Sequence, residues 1–187
     1  MKKAVFLDRD GVINRSVVRG GKPFPPGSLE DVEILPGVEA ALERLRRAGY
    51  LNIVVTNQPD VRTGKQRLDV VEAMHRHLLA VLALDEIRAC YHVDEDGCDC
   101  RKPRPGLLLD AAREHGIDLA DSFMVGDRWR DVLAGQAAGC RVFFIDFGYQ
   151  ERRPDPPYTR VASLLEAARA IEAEVSPGQT PLRGNGA

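Results

Sequence analysis

The 187-residue chain is poor in several things, and each shortage excludes something. No apolar run approaches the length that crosses a bilayer, so a membrane-spanning role is not expected. Net charge is -2 and aromatic residues make up 6%. The chain therefore lacks both the basic field and the aromatic-studded basic face that nucleic-acid binders use. The N-terminal apolar stretch is only Ala4–Leu7, cut off by Asp8, which is too short for a secretory signal core. The cytoplasm is the expected compartment, where clustered cysteines more often bind metal than form disulfides. There is no internal repeat. With 44% apolar residues, the length suits one domain and is short for two. We expect a single unit over 1–175 and a flexible tail, 176–187, that has no core pattern.

What is present is an alternation. Lys3–Leu7, Leu51–Val55, Ile87–His92, Ser122–Gly126 and Arg141–Asp146 are short apolar runs that read as buried strands. Between them lie helical patterns. Val38, Ala41, Leu42 and Leu45 recur at helical spacing before Gly49. A second helix is expected over 68–84, with Val71, Met74, Leu78, Val81 and Leu82 supporting it. A third follows Pro105, and a fourth spans Trp129–Ala138. Val161, Leu164, Leu165, Ala168 and Ile171 mark a last one. The Pro- and Gly-rich stretch Gly20–Gly27 reads as loop, and His75 and His77 as surface residues. Alternating strands and helices predict a doubly wound, Rossmann-like α/β fold, a parallel sheet with helices on both faces. No large cap domain fits between the patterns, and one metal-binding loop is expected.

In such folds ligands bind beyond the carboxyl ends of the strands. The first strand ends in Asp8 and Asp10, the second in Thr56, Asn57 and Gln58, and the fourth in Asp127, with Asp131 close behind. The third leads to Arg101 and Lys102. Three carboxylates drawn together repel one another unless a cation intervenes. Oxygen ligands beside a phosphate suit Mg²⁺. Thr56 offers a hydroxyl and Lys102 a point charge for phosphate oxygens. Taken singly, each residue is bland: Asp frequents turns and helix starts, and a lone lysine is usually a solvated surface residue. Four in order, each after a buried strand, are not. The Thr63–Lys65 stretch "TGK" is no P-loop, because Pro59 stands where the first glycine belongs and Gln66 where Ser or Thr does.

The stretches "FLDRDGV", "VVTNQ", "CRKP" and "MVGDRWRD" resemble the four motifs of the haloacid dehalogenase superfamily of phosphohydrolases, in particular its histidinol-phosphate and heptose-bisphosphate phosphatase branch. The resemblance runs from about Lys3 to Phe147. It implies that Asp8 is the nucleophile and that Asp10 protonates the leaving oxygen and then activates water. It implies Mg²⁺ on the Asp8 side chain, the Asp10 carbonyl and Asp127, with Thr56 and Lys102 binding the phosphoryl oxygens. Asp131 would support either the metal or Lys102. Arg101 would bind substrate, and Asn57 and Arg128 are further candidates for substrate contact. Trp129 either touches ligand or packs the helix start. Two departures stand out. Val12 replaces a frequent Thr, and the segment after the first motif has no His or Tyr. That segment, Arg15–Pro26, is expected to line the leaving-group side.

Cys90, His92, Cys98 and Cys100 form a Cys₃His set, complete for a closed tetrahedral structural zinc. Members of the resembled branch carry a zinc loop with the same C-x-H and C-x-C ends. Asp94, Glu95 and Asp96 between them read as turn residues, and Cys140 as a small buried one. The expected function is a Mg²⁺-dependent sugar phosphatase working through an aspartyl-phosphate. D-glycero-D-manno-heptose 1,7-bisphosphate, cleaved to the monophosphate, is the first substrate and histidinol-phosphate the alternative. A nucleic-acid-end phosphatase or a zinc-stabilised nucleic-acid-binding module is the remote one. A monomer with no nucleic-acid or membrane partner is expected.

Overall fold

The computed structural model describes residues 1–175, so the expected tail at 176–187 lies outside the described residues. In chain order the elements are β1 (Lys3–Leu7), β2 (Val17–Arg19), β3 (Lys22–Phe24), α1 (Val38–Arg47), β4 (Tyr50–Asn57), α2 (Pro59–Arg62), α3 (Leu68–Val81), β5 (Glu86–Cys90), α4 (Gly106–His115), β6 (Phe123–Gly126), α5 (Trp129–Ala138), β7 (Arg141–Ile145), β8 (Thr159–Val161) and α6 (Leu164–Val175). Six strands form one parallel sheet in the order β5-β4-β1-β6-β7-β8. The order reverses at β1, so a crevice opens where β1 sits between β4 and β6. Among the described residues the segment from 8 to 37, between β1 and α1, carries only the β2-β3 hairpin and a 3₁₀ turn, as expected for a fold without a large cap.

The apolar runs are strands because both faces of the sheet are covered. Side chains alternate along each strand: Val5, Leu7, Phe123, Val125, Phe143 and Ile145 face a core closed by α1 and α6, while Ala4, Phe6, Met124, Val142 and Phe144 face α4 and α5. Phe123 is wholly buried, with the Tyr50 ring edge-on at 5.8 Å and Phe143 at 5.7 Å. Burying each such side chain contributes about 1.5–3 kcal/mol. No helix among the described residues is long and apolar enough to cross a membrane.

Several expectations are corrected. The Gly20–Gly27 stretch is not all loop, because Lys22–Phe24 pairs antiparallel with Val17–Arg19. Pro23 is tolerated there because the two-stranded ribbon leaves a free edge. Val161 belongs to β8, not to the last helix. The second helix stops at Val81 rather than 84. His75 is buried, not on the surface, since its side of α3 packs towards the residues that follow β1.

Candidate active site

Asp8 follows β1 directly, and its backbone N–H donates to the Val125 carbonyl at 2.9 Å, so the strand end stays locked to β6. The chain then turns sharply at Gly11, where φ is +88° and a Cβ would lie 1.8 Å from Oδ2 of Asp127. Only glycine satisfies both the conformation and the approach. That turn lets Asp127, which follows β6, close on Asp8.

Lys102 sits at the centre. Its Nζ donates at 2.7 Å to each of Oδ1 of Asp8, Oδ1 of Asp131 and the Val55 carbonyl. The residue is 2% exposed. Burial works against the ammonium, but the two carboxylates outweigh it and hold the pKa well above the ordinary lysine range. Burial pushes Asp8 up to about 6, with Lys102 opposing and Asp131 and Asp10 adding to the rise. Burial, then the charges of Asp8 and Asp131, raises Asp127 well above its usual range.

Asp8, Asp127 and Asp131 offer oxygens within 4.8 Å of one another. Both Asp131 oxygens are committed, Oδ1 to Lys102 and Oδ2 to the Arg128 N–H at 2.9 Å. Oδ2 of Asp127 accepts from the Tyr149 hydroxyl at 2.9 Å, while its Oδ1 is buried with no hydrogen-bond partner. A buried carboxylate oxygen without a donor, beside a second carboxylate, is what a hard cation would satisfy. The donor set fits Mg²⁺.

The Asp10 carboxylate is held differently. Oδ1 accepts from Arg9 Nε at 3.1 Å and Asn14 Nδ2 at 2.9 Å; Oδ2 accepts from Arg9 Nη2 and Gln58 Nε2, each at 2.9 Å. Burial alone would raise its pKa, but the Arg9 guanidinium and these donors lower it overall. Arg9 is 1% exposed and its Nη1 lies 3.0 Å from Nε2 of His75. Burial foremost, then the charge of Arg9, lowers the His75 pKa to about 4, leaving a neutral ring that accepts from the arginine. Gln58 Nε2 also donates to Thr56 Oγ1 at 2.9 Å. That leaves the Thr56 hydroxyl proton to point elsewhere.

The remaining expected residues divide. Asn57 grips the backbone of Lys102, with Nδ2 on its carbonyl at 3.0 Å and Oδ1 accepting its N–H at 3.1 Å. Asn57 and Arg128 both line a cavity of about 260 Å³ over Asp8 and Asp10, and residues of the Arg15–Pro26 segment line it too. Arg128 pairs with Glu151 at 2.6 Å. Arg101 is turned away to Asp94 at 2.8 Å and is not among the cavity's lining residues, whereas Arg130 is. Trp129 carries the guanidinium of Arg130 at 4.7 Å from its ring centre. Sequence reasoning assigned no role to Arg9, His75, Gln58 or Tyr149. Arg9 and Gln58 lie inside quoted motifs, but nothing local marks His75 or Tyr149.

Around the cysteines, Cys90 Sγ lies 3.7 Å from Cys98 Sγ, 3.1 Å from Cys100 Sγ and 3.7 Å from Nδ1 of His92. Cys100 is 3.4 Å from both Cys98 and His92. Bonds of about 2.3 Å to sulfur and 2.0–2.1 Å to nitrogen imply tetrahedral edges of roughly 3.5–3.8 Å; the two Cys90 contacts of 3.7 Å match, the Cys100 contacts of 3.1–3.4 Å are tighter, and the four groups converge as a zinc's ligands would. The loop's acidic residues serve its own fold: Asp94 receives Arg101 and Arg130, and Asp96 accepts the Val93 N–H.

A doubly wound sheet with a carboxylate after β1, a hydroxyl at the end of β4, a buried lysine and a carboxylate after β6 defines a hydrolase of the haloacid dehalogenase class. Residues 99–168 match the HAD-hydrolase-like family. The chain is 41% identical over 139 residues to D-glycero-β-D-manno-heptose-1,7-bisphosphate 7-phosphatase of Helicobacter pylori, covering 71% of this chain and 76% of that one. It is 34% identical over 178 residues to the protein of the same name from Pseudomonas putida, covering 92% and 99%. The crystal structure of D,D-heptose 1,7-bisphosphate phosphatase from Bordetella bronchiseptica, complexed with magnesium and phosphate, superposes with a TM-score of 0.79 at 31% identity, covering 92% of this chain and 99% of that one. The chain belongs to the D-glycero-β-D-manno-heptose-1,7-bisphosphate 7-phosphatase family of HAD-like phosphatases, which are phosphoric monoester hydrolases.

Proposed function

We propose that the chain hydrolyses the 7-phosphate of a D-glycero-D-manno-heptose 1,7-bisphosphate, leaving the 1-monophosphate. The observation that carries this is that Asp8 and Lys102 line one cavity, with Asp127 clustered against Asp8, in a chain 34–41% identical to phosphatases of that name. Residues 1–175 act as one unit, a cytoplasmic monomer without nucleic-acid or membrane partners. The net charge of -2 accords with a small anionic substrate only because the positive groups are local.

Asp8, Asp127 and the Asp10 carbonyl would hold Mg²⁺, which when bound offsets the repulsion between an anionic nucleophile and an anionic phosphate. The Asp8 carboxylate attacks phosphorus, and the bond to the sugar oxygen breaks. The leaving oxygen takes a proton from Asp10. Asp10 is ionised at rest, held so by Arg9. A phosphate dianion entering beside it adds negative charge and raises its pKa, which favours its carrying that proton. Water then gives a proton to Asp10 and attacks the aspartyl-phosphate, freeing Asp8 and inorganic phosphate. Thr56 donates its hydroxyl and Lys102 its charge to the phosphoryl oxygens. Arg128 and Asn57 line the cavity and frame the substrate, whereas Arg101 would reach it only by leaving Asp94. Cys90, His92, Cys98 and Cys100 would hold a zinc that, when bound, would clamp the loop leading to Lys102.

Steady-state kinetics on the heptose bisphosphate and on histidinol-phosphate, with Mg²⁺ present, test the reading. A higher kcat/KM for the bisphosphate is expected; a clear preference for histidinol-phosphate overturns it.

A further inference from the structure

Cationic side chains on the cavity wall are Lys22, Lys102, Arg128 and Arg130. All but one are committed. Lys102 meets Asp8 and Asp131 at 2.7 Å, Arg128 meets Glu151 at 2.6 Å, and Arg130 meets Asp94 at 3.0 Å. Among the described residues Lys22 enters no ion pair, so its charge is available to whatever fills the cavity.

The position of Lys22 is set by more than its own short hairpin. The Gln150 N–H donates to the Gly21 carbonyl at 2.8 Å. Gly21 has φ +73°, and a Cβ there would lie 2.6 Å from the Gln150 side chain, so the contact needs glycine. The residues on either side of Gln150 grip the site: Tyr149 donates to Asp127 at 2.9 Å, and Glu151 holds Arg128. One short loop after β7 therefore ties the hairpin to the carboxylate and the arginine that follow β6. The hairpin is thereby docked on the cavity, whose wall it supplies with Lys22, Pro23, Phe24 and Pro25.

We propose that Lys22 recognises the phosphate that is not cleaved. This rests on the reading above, that the substrate is a sugar carrying two phosphates. The reacting phosphate is provided for by Lys102 and Thr56. A second dianion entering the same cavity needs its own cation, and Lys22 is the wall cation that has no carboxylate to give up. Lys22 acts in binding and specificity, not in chemistry.

Kinetics of wild type, Lys22→Gln, Lys22→Glu and Lys22→Arg on the heptose 1,7-bisphosphate, the heptose 7-monophosphate and p-nitrophenyl phosphate test this. For Lys22→Gln, KM for the bisphosphate should rise about tenfold, the loss of one charge-assisted contact. It should rise further in Lys22→Glu and stay near wild type in Lys22→Arg. kcat should hold, as should both constants for the two monophosphates. Lys22 is exposed, so the variants should fold, and thermal melting checks that they do. An unchanged KM for the bisphosphate in Lys22→Glu, or an equal rise for mono- and bisphosphates, overturns the assignment. If wild type itself does not prefer the bisphosphate to the 7-monophosphate, the substrate reading fails, and that failure is seen before any variant is made.

Discussion

Nζ of Lys102 lies 2.7 Å from Oδ1 of Asp8, inside a site where both side chains are almost fully covered. The lysine expected to meet the phosphate thus also holds the proposed nucleophile. It keeps Asp8 apart from Asp131, to which it is bound at the same distance. Removing it strands two carboxylates in a poorly solvated place, at a cost of about 3–5 kcal/mol. Lys102→Met should lower urea stability by that order and cut kcat/KM by more than about a hundredfold. A variant with wild-type stability would show that the pair is solvated.

Asp8→Asn should behave oppositely. The amide keeps the shape and an acceptor for Lys102, and it removes the repulsion among Asp8, Asp127 and Asp131. Turnover should vanish, because an amide cannot form the aspartyl-phosphate, while circular dichroism and melting stay native. Residual turnover near wild type would sink the covalent mechanism.

The cysteine loop makes a separable prediction. Cys100 stands two residues before Lys102, whose backbone is gripped by Asn57 and whose carbonyl receives Arg130. Chelating zinc should loosen residues 90–102, read as faster amide exchange there, and should lower activity with Mg²⁺ saturating. A zinc-free protein with an unaltered loop and rate would refute the clamp.

His75 should give the fold a pH dependence. Its folded pKa, about 4, is below the unfolded 6.5. Above pH 6.5 the ring is neutral in both states and contributes nothing that varies. As pH falls from 6.5 towards 4, the unfolded chain takes up a proton that the folded one refuses, so stability drops, by at most about 3 kcal/mol. Asp8, raised to about 6, works in the opposite sense over an overlapping range, so the readout is a difference. His75→Gln keeps an acceptor for Arg9 and should lose less stability than wild type between pH 7 and 5. Parallel curves would count against a buried neutral ring.

Gln58 donates to both Asp10 and Thr56 from one nitrogen. By occupying a lone pair of Thr56 Oγ1 it leaves that hydroxyl's proton free for another acceptor. Gln58→Leu should reduce kcat about tenfold or more with a smaller change in KM, since it frees two groups used in the transition state. A change confined to KM would instead mean that Gln58 contacts the substrate itself.

Long periodic segments were legible in advance. The spans of β1 and α5 agree residue for residue with the sequence reading, because runs bounded by Asp-Gly or closed by Gly leave little freedom. The hairpin, α2 and β8 have three or four residues each, too few for a period to register, and Pro23 argued against a strand. His75 read as surface because helical spacing says only which side of α3 it is on. It does not say that a buried arginine waits there for an acceptor.

The residues proposed to carry the chemistry were therefore legible in the sequence alone. Asp8, Asp10 and Asp127 follow buried apolar strands, Thr56 lies at the end of one and Lys102 beyond the loop after another, and their side-chain chemistry suits them to phosphate and metal. What the tertiary structure decided is which charges are neighbours. The strand order β5-β4-β1-β6 sets Lys102 between Asp8 and Asp131, leaves one Asp127 oxygen without a donor, turns Arg101 to Asp94, and brings Tyr149 and the hairpin with Lys22 to the rim. Interactions between charges depend on ångströms and on burial, and neither is a property of any stretch of chain read by itself.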